Sequence, residues 1–156
     1  MSECRVEPIV FTDEETIEAF ADLLCGIHAD IEAGSRCLGA SGSVVIEEKT
    51  CGGIAGVVDS VFGVHFGSTP IDRFSDIFAQ AARLASHIAL DHIFLDGNKR
   101  TALMSALLLL RLKDVKIDYG DAPQPEDNIV YGWIELVVSR EKTEEELADE
   151  LRRRML

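Results

Sequence analysis

The 156-residue chain carries 28 Asp and Glu against 15 Lys and Arg, which gives a formal net charge of −13. Apolar residues make up 47% of the chain, enough for a packed core and too many for a disordered protein. The acidic excess argues against nucleic acid and against an anionic membrane surface as the main partner, because both bind basic surfaces. The length suits a single domain spanning residues 1–156.

Targeting and cysteine patterns indicate a protein that stays in the cytoplasm. The longest apolar stretch, Ala106–Leu110, is far shorter than the ~20 residues that span a bilayer. The N-terminus lacks the apolar core of a signal peptide, so a cytoplasmic location is expected. The four cysteines contain no CxxC pair, so a zinc site is not indicated and reduced thiols are predicted over disulfides.

The first part of the chain predicts a helix followed by a glycine-rich region. Apolar residues at helical spacing indicate a helix over about 13–33, with Thr12 as N-cap and Glu15 completing a capping box. The β-branched run Ser43–Glu48 is predicted to form one arm of a small hairpin, with a plain structural turn as the alternative. A short helix is predicted over 54–62.

Two strongly apolar helices are predicted next, over about 73–91 and 98–113. The first is apolar on most sides, which indicates a central, buried helix, and the short connection 92–97 makes the pair antiparallel or nearly so. Pro70 suits the first turn of a helix. Further helices are predicted over 125–140 and from Thr143 onwards, where Thr143 and Glu146 form a second capping box. The fold class is therefore all-α, a compact bundle with at most one small β-hairpin.

The start of the second apolar helix has the composition of a phosphate site. Gly97 and Asn98 lie where the loop becomes a helix, and the first amides of a helix have no intrahelical acceptor. The helix dipole makes that end positive, and Lys99 and Arg100 add two charges there. Phosphate is the anion that such an N-terminus usually binds.

Two residues of the preceding loop add catalytic groups to this anion site. Asp96 supplies a carboxylate beside phosphates, the usual arrangement for recruiting Mg²⁺. His92 could take a proton from an attacking hydroxyl. Residues 75–116 hold six Lys and Arg and four Asp, so this part is positive within an acidic chain. These groups together predict phosphoryl or nucleotidyl transfer.

The segment HIFLDGNKRTAL resembles the signature of the Fic/Doc family, His-x-Phe-x-Asp/Glu-Gly/Ala-Asn-Lys/Gly-Arg. The resemblance covers residues 70–156 well and 1–33 loosely, and its details follow the Doc branch. It implies a Fic/Doc-like helical bundle in which His92 is the general base and Asp96 binds the Mg²⁺ of ATP. It also implies that Asn98 and Arg100 hold phosphate oxygens while Phe94 anchors the loop in the core.

Two positions bear on which group is transferred. Family members that transfer AMP tend to have Gly where this chain has Lys99, and a second Arg where it has Leu103. Both departures are shared with the Doc branch, so the resemblance favours a toxin that phosphorylates a target protein such as elongation factor Tu. The alternative is transfer of AMP or another nucleotide to a protein hydroxyl. A third hypothesis is a non-catalytic scaffold that binds a nucleotide or a partner.

The resemblance also bears on regulation. Many family members are restrained by a helix bearing Ser/Thr-x-x-x-Glu-Gly/Asn, whose Glu pairs with the second Arg. Here Leu103 replaces that Arg, and the pair Ser43 and Glu47 is followed by Glu48. Inhibition in trans by a separate antitoxin is therefore expected.

Outside the motif, His28 is predicted to be a surface or structural residue.

Overall fold

The structure, a computed structural model, describes residues 5–36, 44–91, 93–94, 97–118 and 128–156. Seven helices form in these ranges, and the described residues contain no β-sheet, so the predicted all-α class is confirmed. The helices are α1 (Glu14–Arg36), α2 (Val44–Phe62), α3 (Pro70–Arg73), α4 (Ile77–Leu90), α5 (Asn98–Leu112), α6 (Ile129–Val138) and α7 (Glu144–Arg153).

Helix α4 is the centre of the bundle, as its apolar circumference predicts. It packs against α2, α5, α6 and α7, with its closest association to α5. Its one fully buried amide side chain, Gln80, is satisfied by the backbone of neighbouring segments. The Gln80 side chain accepts from the Ile9 N–H at 2.8 Å and donates to the carbonyls of Ile9 at 2.7 Å and Val61 at 3.3 Å. These bonds tie the N-terminal segment and α2 to the central helix.

The predicted N-cap of α1 and the predicted start of the central helix are wrong, for the same local reason. Helix α1 begins at Glu14 because Asp13, not Thr12, caps it: the Asp13 carboxylate accepts from the Thr16 N–H at 3.3 Å. The central helix begins at Ile77 rather than 73, because Phe74 is extended and Asp76 caps α4 by accepting from the Ala79 N–H at 2.9 Å. An aspartate at the N-cap accepts a hydrogen bond from the N–H of the third helical residue, which has no acceptor within the helix, and so favours a helix start directly after it.

The hairpin predicted at Ser43–Glu48 is wrong over its described part, because residues 44–48 belong to α2. The β-branched residues there have only a weak and context-dependent preference for strand. The later turns of α2 bury Ile54, Val57, Val58 and Val61 in the core. Once those turns are packed, each further helical residue adds one hydrogen bond without a new nucleation cost.

The expectation of reduced thiols is wrong for Cys25, which is disulfide-bonded on α1. The other three cysteines, Cys4, Cys37 and Cys51, lie outside the residues whose side chains are described. A disulfide forms only where two cysteines approach with suitable geometry, so sequence spacing could not indicate it. None of the described helices is long and apolar enough to cross a membrane.

Candidate functional site

The site is built around the start of α5, where Gly97 supplies a conformation that few other residues adopt. Gly97 has φ 77° and ψ 12°, in the left-handed region, and it is buried. A side chain at this φ would strain the backbone, so glycine allows the loop to turn directly into the helix. The Gly97 carbonyl accepts from the Thr101 N–H at 2.9 Å and begins the helical ladder. The N–H groups of the first turn have no acceptor within the helix, which is the arrangement that binds anions.

Asn98 holds the loop that precedes the helix. Its Oδ1 accepts from the backbone N–H of Phe94 at 3.0 Å, and its Nδ2 donates to the carbonyl of Phe94 at 2.9 Å. Phe94 itself is only 2% exposed, so the predicted anchoring of the loop in the core is confirmed. The carboxamide of Asn98 therefore has a positioning role in addition to the phosphate contact that the family resemblance implies.

Two other elements contact the same loop. On α1, the His28 ring is buried and stacks on the Phe94 ring. On α2, a Cβ added to Gly53 would lie 3.5 Å from Cγ2 of Ile93, so the helix backbone passes next to the loop. The sequence offered no local signal for these contacts, because α1 and α2 lie far from the motif along the chain.

The two basic residues of the motif lie on the first turn of α5. Lys99 Nζ lies 3.5 Å from the carboxylate of Glu135 on α6, and both side chains are partly exposed. Arg100 is half-buried. Leu103, one turn further on, is 1% exposed and packs in the core. The cation that some family members place at that position is therefore replaced here by a core residue.

His92 and Asp96, the predicted base and metal ligand, lie outside the described residues. Their neighbours Ile93, Phe94 and Gly97 are described. Among the described residues there is no group of three or more His, Cys, Asp or Glu that could hold a metal ion.

The three histidines elsewhere are engaged in structural contacts. His87 on α4 has Nδ1 2.9 Å from the Asp91 carboxylate, and its side chain is 31% exposed. His65 has Nε2 2.9 Å from the Asp59 carbonyl. His28 is 3% exposed. Of the two predicted alternatives, a surface residue or a structural residue, the structural one is therefore confirmed.

Comparison with known proteins matches the model of the Fic/DOC family to residues 13–110, which is more than half of the chain. A curated relative, "Protein kinase doc" of Escherichia phage P1, is 36% identical over 81 residues. That alignment covers 49% of this chain and 63% of the relative, so the chain spans less than two thirds of the relative's length. No solved structure gives a significant match.

Proposed function

Because the chain belongs to the Fic/Doc family, we propose that it transfers the γ-phosphoryl group of ATP to a hydroxyl of a target protein. The observation that carries the proposal is the motif His92–Arg100, whose described part has a left-handed Gly97 opening α5 and a loop held by Asn98. A relative with "kinase" in its name supports phosphoryl transfer.

In the proposed reaction, each motif residue has a separate role. His92 takes the proton of the target hydroxyl as its oxygen attacks the γ-phosphorus, and ADP leaves when the bond to the β-phosphate oxygen breaks. The first-turn amides of α5 and the guanidinium of Arg100 bind phosphate oxygens. This cradle is fixed before the reaction, which is how electrostatic stabilisation becomes effective.

Mg²⁺ fits the donor set that the motif offers. The ion usually takes one or two carboxylates, substrate phosphates and several waters, so one carboxylate, Asp96, next to a phosphate-binding helix end is a sufficient protein contribution. When bound, the ion would supply charge neutralisation at the phosphates. Asp96→Asn should therefore raise the Mg²⁺ concentration needed for transfer, and an unchanged Mg²⁺ dependence would move the metal site elsewhere.

Phosphoryl transfer is favoured over AMP transfer by two positions. Lys99 extends from the first turn of α5 toward Glu135, so a large charged side chain stands where AMP-transferring relatives have glycine. Leu103 is buried and supplies no second cation at the position where AMP-transferring relatives tend to have Arg. The site thus lacks both the glycine and the second arginine that AMP-transferring relatives tend to have.

The biological role that we propose is that of a Doc-like toxin. It would modify a protein of translation, such as elongation factor Tu, and be restrained by a separate antitoxin. Expression of the chain alone should arrest growth, and co-expression of its genomic neighbour should relieve the arrest. Harmless expression of a catalytically active chain would place the restraint within this sequence instead.

The reaction is tested with ATP labelled on either the α- or the γ-phosphate, using purified elongation factor Tu and, in parallel, a cell lysate. Label transferred from the γ-phosphate alone supports the proposal, whereas label from the α-phosphate alone shows AMP transfer and refutes it. His92→Ala should lower transfer by roughly 10²–10⁴-fold, the usual contribution of a general base. His65→Ala is the matched control, because His65 lies outside the motif and its ring bonds the backbone carbonyl of Asp59.

A further inference from the structure

We propose that His28 is a positioning residue of the motif loop, acting through the ring of Phe94. This inference rests on the proposed function for its kinetic consequence, while its structural part stands without it. His28 lies on α1, 64 positions before the start of the motif at His92. Its role follows from one contact between α1 and the loop.

The contact is a face-to-face stack of two buried rings. The imidazole of His28 and the phenyl of Phe94 have centroids 3.7 Å apart and planes inclined by 6°. The two residues are 3% and 2% exposed. A flat stack at this distance fixes both the height and the tilt of the Phe94 ring, because either motion brings ring atoms into overlap or opens a void.

The stack complements the backbone bonds that Asn98 makes to the same residue. Asn98 fixes the main chain of Phe94 from α5, at 3.0 and 2.9 Å, and His28 fixes its side chain from α1. One residue is thus held from two helices that also pack directly on each other. Helix α1 therefore helps to hold Phe94 in place.

The location of Phe94 explains why its position would matter for the reaction. It stands two residues after His92 and two before Asp96, between the proposed base and the proposed metal ligand. A displacement of about 1 Å at a reacting group can cost on the order of 10²-fold in rate. Loss of the stack should lower kcat, whereas the phosphate cradle on α5 and the KM for ATP should change little.

The test compares three variants. His28→Leu fills the space and removes the flat face, whereas His28→Phe keeps a stacking ring. The matched control is Phe20→Leu, which removes a buried ring from the same helix. Among the described residues, the ring contacts of Phe20 are with Phe11 and Phe62, at 5.3 and 5.0 Å between centroids. All assays are run below the onset of unfolding of every variant.

Hydrogen exchange provides a readout that is independent of activity. The N–H of Phe94 is bonded to Asn98, so it exchanges when the loop opens. We expect His28→Leu to raise exchange of the Phe94 amide by at least about 10-fold, relative to amides of α7, and Phe20→Leu to leave that ratio unchanged. Equal ratios in His28→Leu and in the wild type would overturn the proposal.

The kinetic arm measures γ-phosphoryl transfer to purified elongation factor Tu. His28→Leu should lower kcat by about 10–100-fold with the KM for ATP within about twofold, and His28→Phe should restore most of the rate. A decrease of the same size in Phe20→Leu would reduce His28 to an ordinary core residue and refute the positioning role. If the wild-type protein transfers neither label, the proposed function fails, and the exchange comparison still decides whether His28 holds the loop.

Discussion

Replacing Asn98 with alanine should destabilise the protein in the absence of any nucleotide. The side chain makes two hydrogen bonds to the backbone of Phe94, at 3.0 and 2.9 Å, in a partly buried setting. A lost hydrogen bond of this kind costs about 1 kcal/mol, and more when the remaining partner stays buried. The better helix propensity of alanine returns about 0.5 kcal/mol. We therefore expect a net loss of roughly 1–3 kcal/mol in the free energy of unfolding.

Thermal unfolding followed by circular dichroism measures this loss. For a chain of this size, 1 kcal/mol corresponds to about 2–4 °C in Tm, so the decrease should be roughly 2–12 °C. Asn98→Ala should also lower the rate of transfer, because the loop that carries His92 is no longer held. The combination distinguishes a residue that shapes the loop from one that only binds phosphate.

Asn128→Ala is the matched control. Asn128 is 7% exposed and caps α6, where its Oδ1 accepts from the Val130 and Tyr131 N–H groups at 2.8 and 3.4 Å. Loss of this cap should cost about 1 kcal/mol without changing transfer per folded molecule. The reasoning fails if Asn98→Ala leaves the Tm of the nucleotide-free protein unchanged and only raises the KM for ATP. That result would make Asn98 a phosphate ligand with no part in holding the loop.

Three further predictions concern Gly97, Asp76 and Cys25. Gly97→Ala should lower stability by about 1–2 kcal/mol in denaturant titration, because its φ of 77° strains any side chain, and an unchanged midpoint would contradict the left-handed turn. Burial of Asp76 opposes its ionisation and raises its pKa. The hydrogen bonds from Arg152 and the Ala79 N–H, together with the charge of Arg152, outweigh burial, so the pKa of Asp76 lies below its ordinary value of 3.8. The stabilisation that Asp76 gives over Asp76→Asn should thus be constant above about pH 5 and shrink as the pH falls below about 4, and a difference that grows on acidification would reverse this sign. Cys25 should resist maleimide labelling in denatured, unreduced protein and react after reduction by a dithiol, whereas labelling without reduction would exclude the disulfide.

Local sequence patterns were sufficient for most of the helices. The capping box at Thr143 and Glu146 forms as predicted, with mutual hydrogen bonds of 3.1 Å, and α7 begins at the next residue. Helix α5 begins at Asn98, directly after the glycine that the motif requires. These features depend on residues three or four positions apart, so the sequence contains all of the information that they need.

The sequence by itself therefore determined the all-α class, the family and the motif His92–Arg100, because a motif and a helical period are properties of neighbouring residues. Only the tertiary structure decided that residues 44–48 extend a helix, that Cys25 is paired and that Glu135 lies beside Lys99. It likewise brought His28 onto Phe94. The Lys99–Glu135 and His28–Phe94 contacts join residues that are far apart in the chain, and their approach is set by how the helices pack in the common core and not by any local preference.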